Sequence, residues 1–387
     1  MFHFAPTKVF GDEVSLATVL GPTWPVLVVG FVTALIATPI ARKLAFRFQI
    51  LDMPNDTVKI HKKPTAYLGG LAVLAGFLAA VLIGFFFFMK GSPAAGESRI
   101  ILAICGGAVL SAIVGLVDDI KDLRPWQKLL GQALCSLFLM LGNVRPDIAP
   151  IFRALHVQAS PEVINVLSYL IILFFVLGAT NSLNLLDGLD GLCTGVTAII
   201  TIGFLFLEIH LATWATDPEV DPIRMIVAMA LVGSALGFLL FNRHPAKIFL
   251  GDAGSILLGF IIAAMMMLFF GQSIRWWLAS IVIFGLPILD TGTALIRRAL
   301  NHRPLFVSDR GHIYDQMIDR GMSLWATVIT NYLLASMYAT LGILSAIFLH
   351  TYQAIVFDLI VLIVSFVIVA WKGYFQMSGY RGAVHKK

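Results

Sequence analysis

The chain reads as an all-α polytopic integral membrane protein, with about eleven transmembrane helices in a single domain spanning residues 1–387. Three observations predict this class. Hydrophobic residues make up 59% of the chain and charged residues 13%, with a mean hydropathy of +0.90, far from the balance of a water-soluble domain. The apolar residues fall into runs long enough to cross a bilayer, which takes roughly 20 residues per helix. The alternating apolar–polar pattern of a membrane barrel is absent, which leaves helices as the structure that satisfies its own backbone in lipid.

In order, the apolar runs lie near 24–41, 68–89, 100–117, 127–143, 163–180, 191–209, 223–241, 254–271, 276–297, 326–348 and 352–371, the fourth being short. No basic segment with a short apolar core and cleavage site precedes them, so no signal peptide is expected. Cys105, Cys135 and Cys193 fall in or beside these runs, without disulfide or metal spacing. An odd number of spans places the termini on opposite sides. With the N-terminus outside and the C-terminus cytoplasmic, only Lys8, Lys90, Arg99, Arg145, Arg153, Arg224 and Arg275 of the 27 Lys and Arg lie on the outer side. The other twenty lie on the cytoplasmic side, as the positive-inside rule requires; its loops run near 42–67, 118–126, 181–190, 242–253 and 297–325, and the C-terminal tail follows them.

Those five loops hold the polar motifs. The first, from Asp52 through Lys59, His61, Lys62 and Lys63 to Gly69-Gly70, is basic and suits anionic headgroups or phosphate. The second closes the third span with Asp118-Asp119 and Asp122. Carboxylates at a membrane helix C-terminus oppose the macrodipole and lose hydration; a divalent cation offsets both costs. Mg²⁺ takes one or two carboxylates and completes its shell with water and phosphate. Lys128 and Gln132 follow at helical spacing.

The third loop, Asn181 to Gly191, carries Asn181, Asn184, Asp187 and Asp190 at every third position, so a helical continuation would stack them along one edge. An ordinary Asp-Gly loop is the competing reading. In the fourth loop, Asn242 to Ser255, Asp252 opens a helix between Gly251 and Gly254, as an N-cap or as part of a phosphate site. Asp290, in the ninth span, lies one heptad before Arg297 and reads as an ion pair or polar helix contact. The last loop combines Arg297, Arg298, Arg303, Arg310 and Arg320 with His302 and His312, suited to a phosphate-rich ligand or to lipid headgroups.

Acids for Mg²⁺, bases for phosphates and a membrane setting together point to phosphoryl transfer between a soluble nucleotide and a lipid. With Gly69-Gly70, Asp118-Asp119, Asn181 to Gly191 and Phe249 to Ser255 in this order, the chain resembles the polyprenyl-phosphate N-acetylhexosamine-1-phosphate transferases. Within them it resembles the bacterial undecaprenyl-phosphate N-acetylglucosamine-1-phosphate transferase branch. The resemblance implies a multi-pass enzyme of the bacterial inner membrane with its active site facing the cytoplasm. It would join a UDP-N-acetylhexosamine to undecaprenyl phosphate, release UMP and start a cell-envelope polysaccharide. It implies Mg²⁺ (or Mn²⁺) on Asp252 and Asp119, with Asp118, Asp119, Asp187 and Lys128 catalytic. Asn184, Asp190, Phe249, Asn242, His312 and Arg310 would hold the nucleotide sugar, Asp190 by hydrogen bonding uracil and Phe249 by stacking on it. A homodimer is compatible with this reading, and nothing points to nucleic acid.

One position departs from the family, which carries His-x-His or three histidines where this chain has His312-Ile313-Tyr314. A tyrosine offers no cationic form near neutral pH. The alternatives are the phospho-N-acetylmuramoyl-pentapeptide transferase branch, an ion-coupled transporter and a non-catalytic scaffold. Transporters place their acids near the midplane, often within inverted repeats. Here only Asp290 and Asp358 fall in mid-span and no repeat is visible.

Overall fold

A computed structural model describes residues 16–53, 64–88, 98–146, 148–154, 156–213, 221–270, 273–304 and 311–376. His61, Lys62, Lys63 and Arg310, singled out above, lie outside the described residues.

Within them the chain is helical, apart from one pair of two-residue strands. The order is α1 (Leu16–Arg47), β1 (Leu51–Asp52), β2 (Thr65–Ala66), α2 (Gly69–Phe88), α3 (Ser98–Lys121), α4 (Pro125–Leu141), α5 (Ala149–Ala154) and α6 (Pro161–Leu186). It continues with α7 (Leu192–Thr213), α8 (Pro222–Asn242), α9 (Gly251–Phe270), α10 (Ile274–Ile283), α11 (Gly285–Leu300), α12 (Ile313–Asp319), α13 (Leu324–Phe348) and α14 (Thr351–Trp371). Several starts follow from local chemistry. Ser160 and Asp221 accept the first free N–H groups of α6 and α8, and Pro161 and Pro222 occupy the next position, where no N–H is needed.

Among the described residues nine helices are long and apolar enough to cross a membrane, and the count rises to ten when α10 and α11, bent by 67°, are taken together as one broken span. The sequence predicts that span as one unbroken helix over 276–297. Gly285 and Pro287 interrupt it, because a proline removes an intrahelical hydrogen bond and clashes with the preceding turn. α4 has 17 residues, about 25 Å of helix, which is the short fourth run of the sequence.

Helices that are apolar on every side belong in the middle of a bundle. α9 is such a helix: 94% of its apolar stretch is buried, against 17% for α14 at the edge. α3 and α6 pack on α9, α1 and α2 on α8, and α13 on α7 and α10. Opposite the motif-bearing end, Arg224 of α8 donates to Glu208 of α7 at 2.5 Å, and both are buried.

At the motif-bearing end the loops are stitched by backbone. β1 pairs with β2 antiparallel, and Ala66 bridges to Ile248 in parallel. Phe249 N–H donates to the Ala66 carbonyl, while Gly69 and Gly70 N–H donate to Phe249 and Leu250. The segments just ahead of α2 and α9 are therefore tied to each other by backbone.

Candidate active site

α3 and α6 end, and α4 and α9 begin, around a single lysine. Lys128, on the first turn of α4, places its Nζ 2.6 Å from Asp118, 2.7 Å from Asp252 and 2.9 Å from the Asn184 side-chain oxygen. Asn184 Nδ2 donates to Asp252 at 2.6 Å and to Ser255 Oγ at 3.0 Å. Residues 118, 128, 184 and 252, on four helices, thus meet around one ammonium.

One turn deeper, Asn181 donates to the Gln132 side-chain oxygen at 2.7 Å and Gln132 returns a longer bond at 3.4 Å. Lys128–Asn184 and Gln132–Asn181 are successive rungs between α4 and α6. Gln132 is fully buried, and a buried amide is stable only when paired. The pair sets the register in which Asn184 reaches Asp252.

Asp119 turns the other way. Its two carboxylate oxygens accept the N–H of Asp252 at 2.8 Å and of Ala253 at 3.0 Å. These are orphan donors of the first turn of α9, and a carboxylate there is favoured by the helix dipole. Gly251 permits the approach. Its φ is +73°, and a Cβ would stand 2.8 Å from Asp119 Oδ2, so a side chain at 251 meets both strain and a clash.

Asp187 caps the C-terminal end of α6. Desolvation within the cluster, then the charges of Asp252, Asp119 and Asp190, push its pKa well above the usual carboxylate range, while the Gly251 N–H pulls the other way. Tyr67 lies in the same field. Burial and then Asp52, Asp119, Asp187 and Asp252 hold its phenol protonated far above its ordinary range. Its ring meets Phe249 edge-on at 6.0 Å.

The three-residue ladder holds as far as Asp187 and then breaks. α6 stops at Leu186, and Asp190 turns instead to the fourth loop, where Oδ2 takes the His244 ring nitrogen at 2.8 Å and the Ala246 N–H at 3.0 Å. His244 in turn meets the Trp325 ring edge-on. Asn242 is buried, accepting from Thr194 at 3.0 Å and donating to the Ile248 carbonyl at 3.1 Å. It supports the backbone leading to Phe249.

Asp290 takes the His312 ring nitrogen at 2.7 Å and the Ile313 N–H at 2.6 Å. It is a polar helix contact, with His312 as a partner. Burial lowers the His312 pKa, but the Asp290 charge and hydrogen bond, followed by Asp315, outweigh it and raise the pKa above the ordinary histidine value; Arg298 opposes them. Arg297 is buried and donates to the Gly311 carbonyl.

Tyr67 carried no signal of its own in the sequence, and Gln132 and Asn181, both marked there, gave no sign that they pair with each other. Tyr67 adjoins Gly69-Gly70, and Gln132 stands one turn from Lys128; each becomes a site residue only once α2, α4, α6 and α9 are packed.

Comparison with known proteins completes the picture. The family described as glycosyl transferase family 4 matches residues 100–270. A probable undecaprenyl-phosphate N-acetylglucosaminyl 1-phosphate transferase of Bacillus subtilis is 32% identical over 316 residues, covering 81% of this chain and 82% of that protein. A decaprenyl-phosphate N-acetylglucosaminephosphotransferase of Mycobacterium leprae is 28% identical, covering 85% of each chain. A phospho-N-acetylmuramoyl-pentapeptide-transferase of Shouchella clausii is 30% identical, covering 84% of this chain and 97% of that protein.

Proposed function

The chain belongs to glycosyl transferase family 4, in the branch of the undecaprenyl-phosphate N-acetylglucosamine 1-phosphate transferases, and from that membership we propose its reaction. It transfers N-acetylglucosamine-1-phosphate from UDP-N-acetylglucosamine to undecaprenyl phosphate. UMP leaves, and a diphosphate-linked lipid sugar forms as the first membrane step of an envelope polysaccharide. The observation that carries this reading is the convergence of Asp118, Asp252 and Asn184 on Lys128. We place this face in the cytoplasm of a bacterial inner membrane, where the excess of Lys and Arg belongs and where UDP-sugars are made.

The acids fit a divalent cation, Mg²⁺ or Mn²⁺. Among the described residues no three His, Cys, Asp or Glu side chains group as a ready-made metal cage, but Mg²⁺ needs only one or two carboxylates when phosphates complete its shell. Asp252 and Asp118 already share one positive charge on Lys128, and they would hold the ion. Asp119, with both oxygens on the α9 backbone, supports Asp252 from behind. The bound ion would neutralise the diphosphate and the departing UMP.

The chain's own groups do the rest. A lipid phosphate oxygen attacks the sugar-bearing phosphorus; the bond from that phosphorus to the UMP oxygen breaks as the new one forms. Phosphate monoesters have a second pKa of about 6, so the nucleophile is largely ionised and needs orienting more than deprotonating. Asp118 and Lys128 do that orienting. Asn184 and Asp187 line the diphosphate, and His312 faces the charge of the nucleotide sugar; Arg310, outside the described residues, is assigned to the same charge from its place in the sequence. Phe249 stacks on the uracil, and Asp190 offers it the oxygen that His244 and Ala246 leave free.

The test is the lipid product. Purified protein given undecaprenyl phosphate, Mg²⁺ and either UDP-N-acetylglucosamine or UDP-N-acetylmuramoyl-pentapeptide is followed by mass spectrometry. The proposal expects the N-acetylglucosamine diphospholipid alone. Product from the pentapeptide substrate only would reassign the chain to the other branch.

A further inference from the structure

Tyr314 is nearly fully buried, and the reaction as described leaves it without a task. Its ring stacks on His312, with centroids 5.7 Å apart and planes 9° from parallel. Its hydroxyl donates to the Leu185 carbonyl at 3.0 Å. Leu185 lies between Asn184 and Asp187 on the last turn of α6, where carbonyls lack an intrahelical partner. The phenol also fills the space above Gly188: a Cβ there would stand 2.1 Å from the Tyr314 hydroxyl oxygen and 2.6 Å from Cζ. On the far side of the stack, Asp290 holds His312 and the Ile313 N–H. A continuous series of contacts therefore runs from the end of α6, through Tyr314 and His312, to α11.

We propose that Tyr314 is a positioning residue for the transfer. It holds His312 in fixed register with Asn184 and Asp187, and it makes no contact with substrate itself. The hydroxyl supplies the connection, because the ring alone would stack on His312 without gripping α6. Gly188 is the matching half, since no side chain at 188 leaves room for the phenol. This assignment rests on the transferase reading above, and the experiment separates the two.

Wild type, Tyr314→Phe, Gly188→Ala and the double variant Gly188→Ala/Tyr314→His are compared for UMP release and for thermal unfolding. One neutral hydrogen bond corresponds to about a tenfold effect, so Tyr314→Phe is expected to lose about tenfold in kcat per folded molecule. Its KM for the UDP-sugar should stay within about twofold and its unfolding temperature close to wild type. Gly188→Ala is expected to be nearly inactive. The double variant should recover activity over Gly188→Ala, because the shorter imidazole vacates the space the new methyl needs. Wild-type kcat in Tyr314→Phe, or a loss that only tracks the folded fraction, would overturn the assignment. So would a double variant no better than Gly188→Ala. Wild-type protein that releases no UMP would instead remove the transferase reading, and this role with it.

Discussion

The Asp119 carboxylate at the end of α3 grips the backbone N–H of Asp252 at 2.8 Å. Asp119 thus differs in kind from Asp118 and Asp252: it fixes the first turn of α9, whereas Asp252 presents its side chain from that turn to Lys128 and Asn184. Asp119→Asn keeps one acceptor oxygen and gives up the charge at the helix N-terminus, worth about 0.3–1 kcal/mol, plus one of two charge-assisted bonds. Its kcat should fall by about one to two orders of magnitude with activity still measurable. Asp252→Asn should fall to background. Steady-state UMP release compares the two, and equal losses would mean Asp119 works on substrate or metal directly.

His312 is expected to give the transfer an alkaline limb. Asp290 and Asp315 raise its pKa against the effect of burial, so the cation persists above the ordinary histidine range and is lost as pH rises through the raised value. Asp290→Asn removes the main raising charge, and the limb should move to lower pH. A profile of kcat/KM against pH for the two proteins measures the shift; a limb that stays in place would detach His312 from catalysis.

Gln316 ties the histidine loop to the end of α14. Fully buried, it donates to the Gly311 and Tyr374 carbonyls at 3.0 Å each and accepts from Arg320 at 3.2 Å. Arg320 also donates to the Lys372 carbonyl at 2.8 Å and lies 4.1 Å from the centre of the Tyr374 ring. Gln316→Leu leaves two carbonyls without this donor, at a cost of about 2–3 kcal/mol. It should both lower the unfolding temperature and speed proteolysis after residue 371. Unchanged proteolysis would show that the residues just after α14 are not held by Gln316.

At the end of the bundle away from the site, Arg224 and Glu208 form a buried ion pair. Arg224→Leu strands a carboxylate and should cost about 3–5 kcal/mol, whereas Arg224→Leu with Glu208→Leu should recover much of that loss. Thermal unfolding in detergent measures both. Activity per folded molecule should be unaffected, since neither residue reaches the site.

The amino-acid sequence made the helices legible because each span carries its own signal: a run of apolar residues with polar ends. It also placed Asp118 with Lys128, Asn184 and Asp252 in three loops of one face. What it could not carry were pairings across helices. Asp119 and Asp118 are neighbours with the same side chain, and only the position of α9 decides that one faces backbone amides and the other Lys128. The every-third-residue spacing suggested a common edge for Asn181 through Asp190, yet helical geometry stops at Leu186 and Asp190 follows the turn to His244. The bend at Phe284 sits beside Gly285 and Pro287, but the apolar run over 276–297 reads as one straight span, because apolar character alone does not distinguish a bent span from a straight one. Tyr314 shows the same limit: a hydroxyl and a glycine 126 positions apart are matched only in the fold.

The most direct test of the account is UMP release by purified protein with UDP-N-acetylglucosamine, undecaprenyl phosphate and Mg²⁺, run beside Asp252→Asn. The account predicts release that requires both lipid and metal and that is absent from a folded Asp252→Asn protein. Release without lipid or metal, or undiminished in Asp252→Asn, would contradict the assignment of this acid cluster as the reaction centre.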